Sequence, residues 1–359
     1  MQIAIITDTH FGARNDNLNF NEYFYKFYEN IFFPTLKERG ITTCIHLGDV
    51  VDRRKYISYR IAYDFRSRFI LQFQKFGIDL HVIIGNHDTY YKNTSEINSM
   101  DELVGRDRVW IYSEPTVKEF DEVPILFMPW INTNNYSTAI NSLDTAKTDL
   151  LMGHLEINGF QMYQGQYSDS GHEKELFRKF DTVFSGHFHH KSDDGQIYYL
   201  GSPYEMTWAD YDSPKGFHVF DTNTRELERI VNPYTLFEKI YYDDTINDYS
   251  HMVGPTGTVY DFEKYKDKYV KLIVVNKKDL YQFDQFVDRL LVADAHDVKI
   301  IEDFSELDAT NVSDDIVENT EDTMTLLEKY VDELDVTLDK TRLKNTMKSL
   351  YSEAQDLEF

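Results

Sequence analysis

Hydrophobic positions along this chain change their period several times, and each change predicts an element. Ile3-Ala4-Ile5-Ile6 is a short apolar run that stops at Thr7-Asp8-Thr9-His10. From about Asn21 to Arg39, Phe24, Phe27, Tyr28, Ile31 and Leu36 recur at three-to-four spacing, which predicts an amphipathic helix ended by Gly40. Thr43–Leu47 reads as a second strand, closing on Gly48-Asp49. Ser58 is placed to cap a second helix that runs to about Phe76 and stops at Gly77. Leu80–Ile84 is a third strand, and it delivers Gly85-Asn86-His87-Asp88, with Gly85 expected to allow a sharp turn. Three strands joined by two helices predict a parallel sheet with right-handed crossovers. In open α/β sheets, sites are built at strand ends of this kind.

The pattern then becomes strand-rich. A helix near Ile97–Val104 is followed by strands around Val109–Tyr112, Val117–Phe120 and Ile125–Met128. A helix near Tyr136–Ala146 precedes the strand Asp149–Met152, which runs into Gly153-His154. Thr182–Ser185 is a further strand, ending in Gly186-His187-Phe188-His189-His190. Short β runs at Ile197–Leu200, Phe217–Asp221 and Leu227–Ile230 complete the expectation of an α/β fold over residues 1–235, with a sheet-on-sheet core flanked by helices. Tyr269–Val275, Leu280–Val292 and Val298–Ile301 predict strand, helix and strand in a small α/β unit over 236–302. Residues 303–322 read as an acidic flexible linker, and two amphipathic helices are expected within 323–359, at about Thr323–Leu334 and Lys340–Ala354. Helices on a tether have no core of their own to face, so their apolar stripes are expected to bind a partner.

Charge changes this picture more than composition does. The 359 residues are 42% hydrophobic and 15% aromatic, which suits well-packed domains, and no apolar run is long enough to span a bilayer, so no membrane association is expected. Met1-Gln2 leads straight into the first strand without a basic, cleavable leader. The single cysteine, Cys44, sits in an apolar run as a small core residue, and a reducing cytoplasm is the expected compartment. The formal net charge of −25 argues against phosphate binding over a broad basic surface. It is unevenly spread: residues 1–235 hold 23 Lys+Arg and 33 Asp+Glu, net −10, whereas 236–359 hold 14 and 29, net −15. From Glu302 to Asp322 there are nine acids and no Lys or Arg, so much of the acidity lies away from the strand ends.

Those strand ends carry the candidate chemistry. Five of them deliver Asp8 and His10; Asp49; Asn86 with His87 and Asp88; His154; and His187 with His189. Any one is weak, since Asp-x-His arises by chance and a lone buried histidine is usually a satisfied core residue. Brought together, they would repel or be costly to desolvate without cations to neutralise them. Carboxylate, amide and imidazole donors with no thiolate suit Mn²⁺, Fe²⁺, Zn²⁺ or Mg²⁺, and the share of histidine argues against Mg²⁺ alone. Two such cations about 3.5–4 Å apart clamp the attacking and leaving oxygens of a phosphate ester and acidify a water. A hydrolase centre is therefore expected.

In order and spacing, Asp8-x-His10, Gly48-Asp49, Gly85-Asn86-His87-Asp88, Gly153-His154 and Gly186-His187-x-His189 resemble the five signatures of the calcineurin-like binuclear metallophosphoesterases. The resemblance tightens to the SbcD-type recombination nucleases, and within them to the catalytic subunits of T-even-phage recombination endonucleases. It does so on residues 40–49, 153–160 and Gly201-Ser202-Pro203, and it extends over essentially the whole chain. It implies a metallophosphoesterase β-sandwich flanked by helices, a DNA-capping role for the small domain, and two divalent ions, Mn²⁺ before Mg²⁺. It also implies Asp8, His10, Asp49 and His189 on one ion and Asp49, Asn86, His154 and His187 on the other, with Asp49 bridging. His87 would lie beside the scissile phosphate, stabilising charge or protonating the leaving oxygen, and Asp88 would orient it. As a turn residue, Asp88 is equally suited to capping backbone amides. His190 should point elsewhere.

Asp49-Val50-Val51-Asp52-Arg53 also resembles the signature of protein serine/threonine phosphatases, whose arginine grips phosphate, but those enzymes usually carry Glu where this chain has Asp88. Arg53, Arg54, Lys55 and Arg60 form a basic cluster beside this loop, readable as DNA-phosphate contacts or as a solvated helix start. Three functions are compatible with these residues: a metal-dependent DNA nuclease, a phosphatase or small-phosphodiester hydrolase, and a non-catalytic DNA-end clamp. The complete ligand set speaks against the clamp, and the tethered helical pair speaks against the small-diester hydrolase. The expected function is a DNA exonuclease and endonuclease in recombination, repair or end processing, working with a coiled-coil ATPase of the SbcC type that binds the C-terminal helices. The resemblance further implies a homodimer and the cytoplasm of a phage-infected bacterium; the helix containing Ile57, Tyr59 and Tyr63 is a candidate interface, though its aromatic content equally suits core packing.

Overall fold

The computed structural model describes residues 1–163, 165–249, 260–302 and Lys340; the predicted acidic linker and the C-terminal helices otherwise lie outside the described residues. Two six-stranded sheets face each other. The first has the order Leu227–Val231, Gly216–Asp221, Gln2–Ile6, Thr43–His46, Asp79–Ile83, Val109–Tyr112, and its last four strands are parallel, as the alternation of strand and helix predicts. The second has the order Ser192–Asp193, Ile197–Tyr199, Thr182–Gly186, Leu150–His154, Val123–Met128, Thr116–Phe120.

Strand side chains alternate between faces, and here both faces of the first sheet are apolar. Ile3, Ile5, Ile45, Leu47 and Ile83 point inward and pack with Ile125, Phe127, Leu150, Met152 and Phe184 of the second sheet. Their neighbours Ala4, Ile6, Cys44, Leu80 and Val82 point the other way, into a helical layer rich in aromatic rings, and Cys44 is fully buried there. The second sheet is covered on its outer face by the helix Tyr136–Thr145 through Ala139 and Leu143. Each fully buried Leu, Ile or Phe contributes about 1.5–3 kcal/mol, which is what ties the strand ends to one rigid frame.

The helical layer departs from a plain reading of the periodicity. Its first helix starts at Leu18, where the Asn17 side chain accepts from Asn19 N at 2.9 Å, and it widens into a π-helical turn over Tyr28–Phe32 before Phe33–Glu38. Pro34 explains the interruption, because it has no N–H to bond one turn back. The second helix runs from Tyr59 to Phe76 with Ser58 as cap and Gly77 in the left-handed conformation at its end, as expected, and it too widens over Phe65–Ile70. The helix expected near Ile97–Val104 is only Ser99–Leu103. Thr94–Asn98 instead pairs with Thr89–Tyr91 in a hairpin immediately after Asp88, and Asn98 ends the strand by accepting from Asp101 N.

The small unit has three parallel strands, Phe237–Asp243, Tyr269–Asn276 and Asp297–Ile301, with the helix Leu280–Val292 packed on one face. Its first strand carries Glu238, Lys239 and Asp243 and does not register as a strand in the apolar pattern. This unit is joined to the larger one by rings: Phe20 meets Tyr269 at 5.3 Å between centroids, and Trp208 meets Phe237 at 4.7 Å. Buried Glu205 accepts from the amides of Leu236 and Phe237, where the first strand begins.

Candidate metal centre

The parallel strands stop at one edge of the sandwich, and the backbone then turns sharply. Asp8, His10, Asp49 and His187 all have positive φ, at 52°, 41°, 54° and 89°. An L side chain in that region costs roughly 1–3 kcal/mol and persists only where the surroundings impose it. Here two loops hold each other: Asp8 N donates to Gly48 O at 3.0 Å, and Thr9 N and His10 N donate to Asp49 O at 2.9 and 3.1 Å. Gly85 serves differently from the expected turn. Its φ is not left-handed, and the reason for glycine is space, since a Cβ there would collide with Asp49 Oδ1.

Seven predicted side chains converge, all nearly or fully buried except His187 and His189. Asp8, His10 and His189 form one cluster, and Asp49, His154 and His187 form a second, each with its donor atoms within 4.8 Å of one another. His10 Nε2 and His189 Nε2 are 3.0 Å apart. Asp49 Oδ2 lies between the clusters, 3.2 Å from His154 Nε2 and 3.7 Å from His10 Nε2. Asn86 Oδ1 completes the second cluster at 3.0 Å from His154 Nε2 and 3.1 Å from His187 Nδ1.

This arrangement concentrates lone pairs. His154 Nδ1 donates to Leu47 O at 2.8 Å, so in the neutral ring Nε2 carries a lone pair and points it at two oxygens that are themselves acceptors. A proton or a cation must sit between them. Protons satisfy the cluster only in part. His10 is pushed up to about 9: burial alone would lower it, but the Asp52 hydrogen bond and the charges of Asp49, Asp52 and Asp8 outweigh that. His154 reaches about 9 against its burial through Asp49 and Asp8. Burial and the neighbouring charged groups then hold His187 down to about 3 and His189 well below the usual imidazole range. Asp49 stays well below the carboxylate range despite burial, held there by His154 and His87. Divalent cations would meet all these lone pairs at once, and the mixture of imidazole, carboxylate and amide oxygen fits borderline ions.

Of the two roles open to Asp88, the hydrogen bonds match the backbone cap. The resemblance implies that it orients His87, but its buried carboxylate accepts from the amides of Gly85, Asp49, Val50 and Val51 at 2.8–3.2 Å. It is the backbone cap that shapes the Asp49 loop. The His87 ring is held instead through Nδ1 by the Asp52 carbonyl at 2.5 Å, which leaves Nε2 directed outward, with the ring 4.8 Å from His10. The basic cluster is also less available than its sequence suggests. Arg53 pairs with Asp16 and stacks on Tyr56, Arg60 pairs with Asp64 at 2.9 Å, and Lys55 lies 6.0 Å from the Tyr90 ring. Arg54 sits in the same loop.

Comparisons with known proteins agree with this geometry. The calcineurin-like phosphoesterase profile matches residues 1–191, which include every clustered residue above. The chain belongs to the calcineurin-like phosphoesterase family. It is 32% identical over 323 residues to exonuclease subunit 1 of Enterobacteria phage T4, covering 89% of each chain. It is 25% identical over 186 residues to the SbcD component of the SbcCD nuclease of Staphylococcus epidermidis, covering 42% of this chain and 47% of that one. Enzymes of this family use divalent metals, and the two clusters are this phosphoesterase's candidate ion sites.

Three residues support the phosphoesterase site in roles that the sequence pattern does not assign. Asp52 holds His10 Nδ1 at 3.3 Å with its side chain and His87 with its carbonyl. Its position three residues after Asp49 is a usable signal. Buried His46 bonds Thr9 Oγ1 at 3.0 Å and stands behind the His10 loop. Lys215, also buried, pairs with Asp210 and donates to His189 O at 2.9 Å; nothing local in the sequence marks it.

Proposed function

We propose that this protein is a metal-dependent DNA nuclease, with exonuclease and endonuclease activity on phosphodiester bonds. The observation that supports hydrolysis is the pair of clusters meeting at Asp49 Oδ2. The DNA substrate rests on the likeness to the phage exonuclease over 89% of both chains. Asp8, His10, Asp49 and His189 would hold one ion, and Asp49, Asn86, His154 and His187 the other. Two divalent cations, most suitably Mn²⁺ for so many imidazoles, would clamp the phosphate oxygens and supply an acidified water.

The chain's own residues supply the rest. The Asp52 carbonyl holds the His87 ring through Nδ1, and His87 Nε2 would stabilise charge on the phosphate or pass a proton to the leaving oxygen. Asp88 holds the Asp49 loop rigid from behind. Residues 236–302 would cap the DNA, and a coiled-coil ATPase of the SbcC type would bind within 323–359; with Arg53 and Arg60 already paired, that partner would supply much of the phosphate grip. A homodimer and a place in the cytoplasm of the infected bacterium complete the proposal.

A panel of linear DNA, hairpin DNA, bis-p-nitrophenyl phosphate and a phosphopeptide, each with Mn²⁺ or Mg²⁺, tests the reading. Cleavage of both DNAs is expected. Turnover of the phosphopeptide alone would instead make this a phosphatase. Removing residues 303–359 should abolish capture of the ATPase, and retained capture would refute the assigned partner surface.

A further inference from the structure

We propose that the groove at Trp130, Tyr136 and His172 is a stacking site for an unpaired nucleobase of the strand being cut, a proposal that rests on the nuclease reading above. Two cavities meet at Trp130. One, of about 220 Å³, is lined by Trp130, His154, Glu156 and His172; the other, of about 500 Å³, is lined by Lys92, Trp130, Asn132 and Tyr136. Because His154 belongs to the second cluster, the smaller cavity opens directly beside the scissile position. The Trp130 ring lies 5.0 Å from His187 and 6.1 Å from His154 between centroids. A base adjoining a phosphate held there falls within reach of these rings.

The walls suit a flat heterocycle rather than a phosphate. Tyr136 and His172 are within 26° of parallel, with centroids 6.4 Å apart, and Tyr136 is 51% exposed. Burial lowers the His172 imidazole from its usual value, which keeps its ring neutral and able to stack at neutral pH. The space is several times the ~30 Å³ that a water occupies, so a base ring fits. Two of the polar side chains at hand are already engaged. Asn132 bonds Ser95 Oγ and the amides of Asn134 and Asn135, and Glu156 accepts from Ser170 Oγ. Ring stacking itself reads no base edge, so recognition would be tolerant of sequence.

An intact duplex offers this groove less than a single strand does. A paired base has both faces covered by its neighbours and offers no ring to Trp130 or Tyr136. The domain also carries a net charge of −10, counted over residues 1–235, with Arg53 and Arg60 committed to carboxylates. Stacking, worth about 1–3 kcal/mol per base, gives this acidic surface a hold on DNA that does not depend on phosphate contacts. The site therefore favours single-stranded or frayed ends.

The full-length protein and its Tyr136→Ala and Tyr136→Phe variants decide the matter in two measurements. In EDTA, anisotropy of a fluorescein-labelled single strand should show Tyr136→Ala binding about 5- to 150-fold more weakly, with Tyr136→Phe close to wild type. With Mn²⁺, the ratio of kcat/KM for the single strand to that for bis-p-nitrophenyl phosphate, which has no base, should fall for Tyr136→Ala and recover for Tyr136→Phe. An abasic site next to the scissile phosphate should lower the wild-type ratio and leave the Tyr136→Ala ratio where it was. Equal single-strand affinity for Tyr136→Ala and wild type overturns the stacking site. Hydrolysis of the small diester without any DNA cleavage by wild type overturns the nuclease reading, and the EDTA titration still decides the groove.

Discussion

At the scale of residues, the proposed nuclease reading assigns His87 to the reacting phosphate and Asp52 to aiming its neighbours. His87 has its Nδ1 tied to a backbone carbonyl, so its free nitrogen has one direction to face. His87→Gln should lower kcat by roughly 10²–10⁴ while the number of bound Mn²⁺ ions, counted by electron paramagnetic resonance, stays the same. Lost metal with lost activity would make it a ligand instead. Asp52 acts through others. Asp52→Ala removes the partner of His10 Nδ1 and should weaken Mn²⁺ binding about 10- to 100-fold, read by calorimetry. An unchanged affinity would mean that the His10 ring is held by packing alone. The sequence marks the seven converging side chains because each follows an apolar run. It leaves Asp88 ambiguous, since a carboxylate after Asn-His satisfies a turn or a neighbouring ring equally well on paper. Only the position of four amides around it shows which.

At the scale of elements, strands and helices are legible where one force dominates. The Thr43–His46 and Asp79–Ile83 strands bury both faces and read as apolar runs. Ser58 and Gly77 bound the second long helix as capping chemistry predicts, with Ile61 N donating to Ser58 Oγ at 3.3 Å. Ser58→Ala should cost about 1 kcal/mol, visible as a small drop in Tm, and no drop would mean that the helix start is held by its packing alone. The strands that the pattern misses are short or partly polar. Thr89–Tyr91 leaves two of its three residues exposed, and Phe237–Asp243 draws its place from neighbours at Tyr269–Asn276 rather than from its own pattern.

At the scale of the whole molecule, the small unit and the larger one are coupled through a buried carboxylate. Burial raises Glu205 to about 7, even though the Leu236 and Phe237 amides donate to it and favour its anion. With a folded value above the unfolded 4.5, its contribution is fully present below about pH 4.5 and is lost as pH climbs through about 7, a loss on the order of 3 kcal/mol. Glu205→Gln keeps an acceptor for both amides without the titration. Urea unfolding from pH 5 to 8 should therefore show the variant gaining on wild type as pH rises, and parallel curves would refute this. Among the described residues no helix is long and apolar enough to cross a membrane.

Spacing and hydropathy by themselves determined the α/β order, the parallel strands and the strand ends where polar side chains gather, because strand period and turn chemistry are local. Tertiary structure alone decided how far Asp49 stands from each cluster, which of its two expected roles Asp88 takes, and that Trp130 lines a groove beside His154. Those facts depend on which atoms lie within a few ångströms across gaps of tens to hundreds of residues, and no local pattern carries that distance.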